Sequence, residues 1–79
     1  MRARVYVTLK PSVFDPQGRT IAEALHSLGY TSVESVRQGK YFELDLETTE
    51  TAQAQALASE VANRVLANPV IESYRVEIE

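Results

Sequence analysis

Val36-Arg37-Gln38-Gly39-Lys40-Tyr41-Phe42-Glu43-Leu44-Asp45-Leu46 is the stretch on which the reading of the chain turns. It reads as the end of one strand, a tight turn at Gly39-Lys40, and another strand in which apolar Phe42, Leu44 and Leu46 alternate with polar Glu43 and Asp45. A period of two marks a half-buried strand with one face on a core and one face free. Toward the amino terminus, Ala3, Val5, Val7 and Leu9 alternate with Arg2, Arg4, Tyr6, Thr8 and Lys10 in a first strand. Pro11 closes it, because proline has no N–H to give to a ladder. Asp15-Pro16 then opens a helix, aspartate serving as N-cap and proline standing where its missing N–H costs nothing. Ile21, Leu25 and Leu28 form the apolar stripe of that helix, and Gly29 ends it through a left-handed residue.

Val33 to Arg37 makes a short second strand, and the Gly39-Lys40 turn leads into the third. Beyond Glu47, Thr49 or Thr51 caps a second helix that carries Ala54, Leu57, Ala58, Val61, Ala62 and Val65 at helical spacing. Asn68-Pro69 stops it, asparagine tolerating the left-handed conformation and proline blocking continuation. Tyr74, Val76 and Ile78 alternate with Arg75, Glu77 and Glu79 in a fourth strand. The order strand, helix, strand, strand, helix, strand predicts an α+β ferredoxin-like split βαβ sandwich. Residues 1–79 would form this single domain, a four-stranded antiparallel sheet with two helices on one face. Its first and third strands are neighbours, so the open face would set Arg4, Tyr6 and Thr8 beside Tyr41, Glu43 and Asp45.

Composition narrows the function. The 79 residues hold no Cys and one His, which removes disulfides and argues against a structural zinc site. A chain this short buries only roughly 60% of its unfolded surface, so self-association is the remaining source of stability. Eight Lys and Arg against eleven Asp and Glu give a net charge of −3, the wrong sign for nucleic acid. Val5 to Leu9 is too short an apolar run for a signal-peptide core or a membrane span, and a soluble cytoplasmic protein is expected.

No catalytic, cofactor-binding or metal-binding residue is assigned. His26 lies off the apolar stripe, and its neighbour Ser27 does not face it on a helix. Glu43, Asp45 and Glu47 share one side of a strand and invite comparison with a hard-metal site, but with Arg4 and Lys10 opposite they read as a charged edge. Gly18, Gly29 and Gly39 form no phosphate loop. Tyr6 and Tyr41 stand where RNA-recognition folds stack bases, yet Glu43, Asp45 and Glu47 would repel phosphates. The two tyrosines fit a protein interface better.

Five segments in register resemble one known family. They are Val5-Tyr6-Val7-Thr8-Leu9-Lys10, Asp15-Pro16-Gln17-Gly18, Ala24-Leu25-His26-Ser27-Leu28-Gly29-Tyr30, Gly39-Lys40-Tyr41-Phe42-Glu43-Leu44 and Leu66-Ala67-Asn68-Pro69-Val70-Ile71-Glu72. The family is PurS, small subunits of phosphoribosylformylglycinamidine (FGAM) synthase in de novo purine biosynthesis. Ser12 and Phe14 depart from its usual Gly and Leu, and the second helix is richer in Ala and Gln. The resemblance implies a non-catalytic adaptor, a homodimer or a tetramer, that couples a glutaminase subunit to a large ATP-dependent amidoligase subunit. ATP and Mg²⁺ are then expected on the large subunit and no cofactor on this chain. Self-contact is expected at the sheet edge and open face, including Tyr6 and Tyr41. Partner contact is expected at the turn containing Gly39 and Lys40, the loop Lys10–Asp15 with Phe14, and the segment Asn68, Pro69, Val70 and Ile71. Two other classes share the topology: an amino-acid-binding regulatory module and a small acylphosphatase-type hydrolase. The second would want an arginine-bearing phosphate loop where this chain has Pro11, Ser12 and Phe14.

Overall fold

A computed structural model describes residues 1–79. Its sheet has three antiparallel strands, β1 (Arg2–Leu9) at the centre with β2 (Gly39–Asp45) and β3 (Glu72–Ile78) on either side. The helices are α1 (Pro16–Ser27) and α2 (Thr51–Val61), the second running on into a π-turn over Ala62–Leu66. β1 takes the centre because its alternation is the cleanest: Ala3, Val5 and Val7 are all fully buried. Val5 stands between Phe42 and Val76, and Ala3 between Leu44 and Ile78.

The helix α2 packs on this face through small residues. Ala54, Ala58 and Ala62, four apart, are fully buried, whereas Leu57 and Val65 face outward. An alanine ridge lets the helix backbone approach the sheet closely, and α2 lies over β1 and β3. The π-turn follows from the same packing. Ala67 N–H donates to the Ala62 carbonyl at 2.8 Å, and both residues join the Val5–Val7 core together with Phe42, Leu44, Leu66 and Val76.

Several local expectations change. The α2 N-cap is Glu50 without a side-chain cap bond. Thr48, rather than Thr49 or Thr51, accepts from the Glu50 N–H, at 3.2 Å. Asn68 is not left-handed, since Gly29 alone has positive φ (98°). It turns the chain instead through its side-chain oxygen, which accepts from Val70 N–H at 3.1 Å.

The larger correction concerns the fourth strand. Val33–Arg37 joins no ladder, so the sheet is three-stranded and the ferredoxin-like closure is not made within the chain. Its polar groups are drawn to α1 and the loop before it. His26 Nε2 donates to the Val33 carbonyl, and Arg37 donates to the carbonyls of Val13 (3.0 Å) and Lys10 (2.8 Å). Gly39 and Lys40 are consequently the first residues of β2 rather than a hairpin turn, and Glu47 lies past the strand end. The helix α1 buries Gly18 and Ala22 against the returning segment, and forms no packed interface with any strand or with α2. Its expected core stripe is only partly covered: Leu25 is half-buried, while Ile21 is 39% and Leu28 74% exposed. Helix and return form an arm, and the molecule measures 48 × 25 × 14 Å, although an eight-residue strand spans only ~26 Å.

Gly18 tests this arm. Helix propensity favours alanine by about 1 kcal/mol, but a Cβ there collides with the Val36 carbonyl oxygen and stands 2.8 Å from the Asp15 carboxylate. Gly18→Ala should therefore lower the thermal midpoint. A raised Tm would mean that the return does not lie against α1.

Candidate functional site

The uncovered sheet face is a lattice of paired charges around an aromatic stack. Register sets Arg2 opposite Asp45, Arg4 opposite Glu43 and Tyr6 opposite Tyr41, as the alternation of the two strands requires. Arg2 donates to Asp45 and Glu43, each at 3.2 Å, and lies 3.7 Å from Glu79. Arg4 pairs with Glu79. These carboxylates hold both guanidinium groups above their ordinary pKa, Asp45 leading for Arg2 and Glu79 for Arg4. The Tyr6 and Tyr41 rings are 5.1 Å apart and tilted by 38°, and the Arg75 guanidinium sits 4.4 Å above Tyr6. Arg75 is itself bound to Glu77 at 2.9 Å. The Glu77 carboxylate, as acceptor, favours the protonated Tyr6 hydroxyl and pushes it above the usual phenol range, with partial burial adding to the shift.

The second region is the end of the sheet from which the arm departs. Three segments that are distant in sequence meet there. Lys10 N–H donates to the Ile71 carbonyl at 2.9 Å. Gln38 N–H donates to Asp15 Oδ2 at 2.8 Å, while Asp15 Oδ1 accepts from Gly18 N–H at 2.9 Å. Lys40 Nζ reaches the Leu66 carbonyl at 3.2 Å and Glu72 at 3.5 Å, so it closes the end of the π-turn where helix-end carbonyls favour a cation. Phe14 and Val70 are 63% and 78% exposed. Phe14 also borders a cleft of about 400 Å³ between the Pro11–Asp15 loop and Glu34–Arg37.

The model of the family described as PurS, phosphoribosylformylglycinamidine (FGAM) synthase, matches residues 2–79. The chain belongs to the PurS family. The PurS subunit of Bacillus subtilis is 47% identical over 78 residues, covering 99% of this chain and 92% of the relative. Its crystal structure superposes with a TM-score of 0.87 over 99% of this chain and 96% of that one. PurS of Methanocaldococcus jannaschii, one subunit of formylglycinamide ribonucleotide amidotransferase, gives 0.89 at 35% identity, with 99% and 94% covered. A chain of the Thermotoga maritima PurLQS structure gives 0.87 at 29% identity, with 96% and 93% covered.

For this PurS chain the residues singled out from sequence fall into two groups. Tyr6 and Tyr41 stack on the open face, while Phe14, Gly39, Lys40 and Asn68–Ile71 gather around the root of the arm. Glu43 and Asp45 are both engaged by Arg2, and Glu47 lies apart from them. Sequence reasoning missed Arg75 and Glu77, although their alternation with Tyr74 and Val76 places them on the Tyr6 face once β3 is laid beside β1. It also missed the tie from Asp15 to Gln38, for which local sequence carries no signal.

Asp15 is buried and accepts two backbone hydrogen bonds, from Gln38 and then Gly18, which hold its carboxyl below the ordinary aspartate value. A depressed folded pKa contributes stability above the unfolded value of about 3.9, lost as pH falls through the folded value. Asn can keep only one of the two acceptors. Asp15→Asn should therefore lower Tm by a constant amount at neutral pH, and the gap should close below pH ~4. A gap independent of pH down to acid denaturation would exclude the ionised carboxylate as its source.

Proposed function

We propose that the chain is the non-catalytic adaptor subunit of FGAM synthase, docking a glutaminase subunit onto an ATP-dependent amidoligase subunit. In this reading glutamine-derived ammonia passes to formylglycinamide ribonucleotide on the large subunit, which also holds ATP and Mg²⁺. The adaptor works as a homodimer in the cytoplasm; no helix of the chain is long and apolar enough to cross a membrane. One observation carries the reading: the full-length likeness to a chain of the Thermotoga PurLQS structure. Physical support comes from the arm root, where exposed Phe14 lies on one segment and exposed Val70 and Ile71 on another, joined by the Lys10–Ile71 hydrogen bond. Apolar side chains concentrated at a loop end suit a protein partner better than solvent.

The test measures product formation by the large and glutaminase subunits with and without this chain, using glutamine and then ammonia as nitrogen source. The chain should restore the glutamine-dependent rate and leave the ammonia-dependent rate unchanged. Val70→Asp at limiting concentration should cut the glutamine-dependent rate roughly tenfold, as expected for an interface residue worth about 1.4 kcal/mol. A chain that alters neither rate would sink the adaptor reading.

A further inference from the structure

We propose that the cleft at the arm root receives a carboxylate side chain of a synthase partner subunit, with Arg37 as its counter-ion. Lys10 adds to the positive field, and an apolar neighbour of that carboxylate packs on Phe14. This rests on the adaptor reading above and names the chemistry by which a partner subunit engages the chain.

Charge pairing supplies the first argument. The chain carries eight Lys and Arg, and Arg2, Arg4, Arg19, Lys40, Arg64 and Arg75 are all in ion pairs within the fold. The two left over, Lys10 and Arg37, are joined to one another. Arg37 donates to the Lys10 carbonyl at 2.8 Å and to the Val13 carbonyl at 3.0 Å. Both acceptors are neutral, so the guanidinium is fixed in place while its charge stays unmatched. Two of its five N–H donors are used in this way, and three remain. A guanidinium already held loses little freedom when a carboxylate arrives, and its fork matches a carboxylate edge. Asp15 is not that partner: its two oxygens accept from the Gly18 and Gln38 N–H groups, and it forms no ion pair with Arg37.

The surroundings supply the second. Arg37 lines the cleft of about 400 Å³ together with Val13, Phe14, Ala22 and Val36. That volume lies low in the range of ligand pockets, roughly 300–1,000 Å³, which suits the side chains of a short segment. An arginine beside an exposed aromatic ring is the composition that protein interfaces favour at their anchors. A phosphate fits less well. Glu34, in no ion pair of its own, stands in the same cleft and would repel a dianion. The Val13, Gly18 and Gln38 N–H groups nearby already donate within the chain.

The test titrates the chain into the large and glutaminase subunits and reads the concentration that gives half the maximal glutamine-dependent rate. Arg37→Gln removes the charge and keeps an amide able to donate to the loop carbonyls. Lys10→Glu leaves the loop's bonds in place, because Lys10 enters them only through its backbone. Each should raise the half-maximal concentration roughly tenfold. Added KCl should raise it more steeply for the unmodified chain than for Arg37→Gln. Arg64→Gln, an equal loss of charge outside the cleft, should match the unmodified chain. Equal salt dependence in Arg37→Gln and the unmodified chain would reduce Arg37 to a brace for the loop and overturn the proposal. A Lys10→Glu chain that titrates like the unmodified one overturns it as well. So does saturable calorimetric binding of inorganic phosphate to the chain alone, which would assign the cleft to a phosphate ligand. An unmodified chain that stimulates no glutamine-dependent rate removes the adaptor reading itself, and this proposal with it.

Discussion

Asp15 receives Gly18 N–H on one carboxylate oxygen and Gln38 N–H on the other, and so fixes where both legs of the arm leave the sheet. The first bond starts α1 in the manner of an N-cap. The second holds the returning chain one residue before β2 begins, so the helix and the β2 edge take their positions from a single side chain. Arg37 reinforces the junction through two carbonyls of the Lys10–Val13 loop, and Gly18 permits the close approach because nothing larger fits against Val36. Everything distal to this knot, from α1 to Arg37, is placed by it rather than by a hydrophobic core. Only ten of 79 residues are buried, and Gly18 and Ala22 alone come from α1.

The open face solves a different problem. Exposed ion pairs contribute little stability each, and the side chains of Arg2, Arg4, Glu43 and Glu79 remain more than a third exposed. Their value lies in register. A one-residue slip of β2 against β1 would turn Phe42 and Leu44 toward water and carry Glu43 and Asp45 away from Arg2 at the same time. The Tyr6–Tyr41 stack and Arg75 above it add a cross-strand contact that the slipped pairing would also lose. Charge and hydrophobicity thus specify one alignment of three strands.

How far this was readable from sequence depends on the range of the interaction. The strands at Arg2–Leu9 and Glu72–Ile78, the Asp15-Pro16 helix start and the Gly29 helix end rest on local alternation, capping and backbone chemistry, and all were legible. The pairing of Tyr6 with Tyr41 followed once the two strands were made neighbours. Val33–Arg37 misled because it stands before a glycine and a clear strand, as the first leg of a hairpin would, yet pairing needs a partner, and within the chain its polar groups find α1 and the preceding loop. Ile21 and Leu28 misled for the related reason that an apolar stripe announces burial without saying against what. Lys40 looked like a turn residue with a solvated ammonium, but it lies in β2. Its ammonium is instead engaged by Leu66 and Glu72, residues far along the chain that no local rule connects to it.

The misreadings share one direction, and that bears on how such a small chain can serve a larger assembly. A strand at Val33–Arg37 and a buried apolar stripe on α1 both belong to a closed four-stranded sandwich, which the chain by itself does not form. With two fully buried large side chains, Val5 and Val7, the isolated fold has little stability in reserve. Any partner that binds the folded chain stabilises it by mass action, so folding and association are thermodynamically linked. A subunit built this way keeps its single-chain core small and leaves its remaining apolar surface exposed. The core alternation of β1 and the alanine ridge of α2 secure the part that must fold alone. The arm and the loops at its root carry apolar surface that this core leaves exposed.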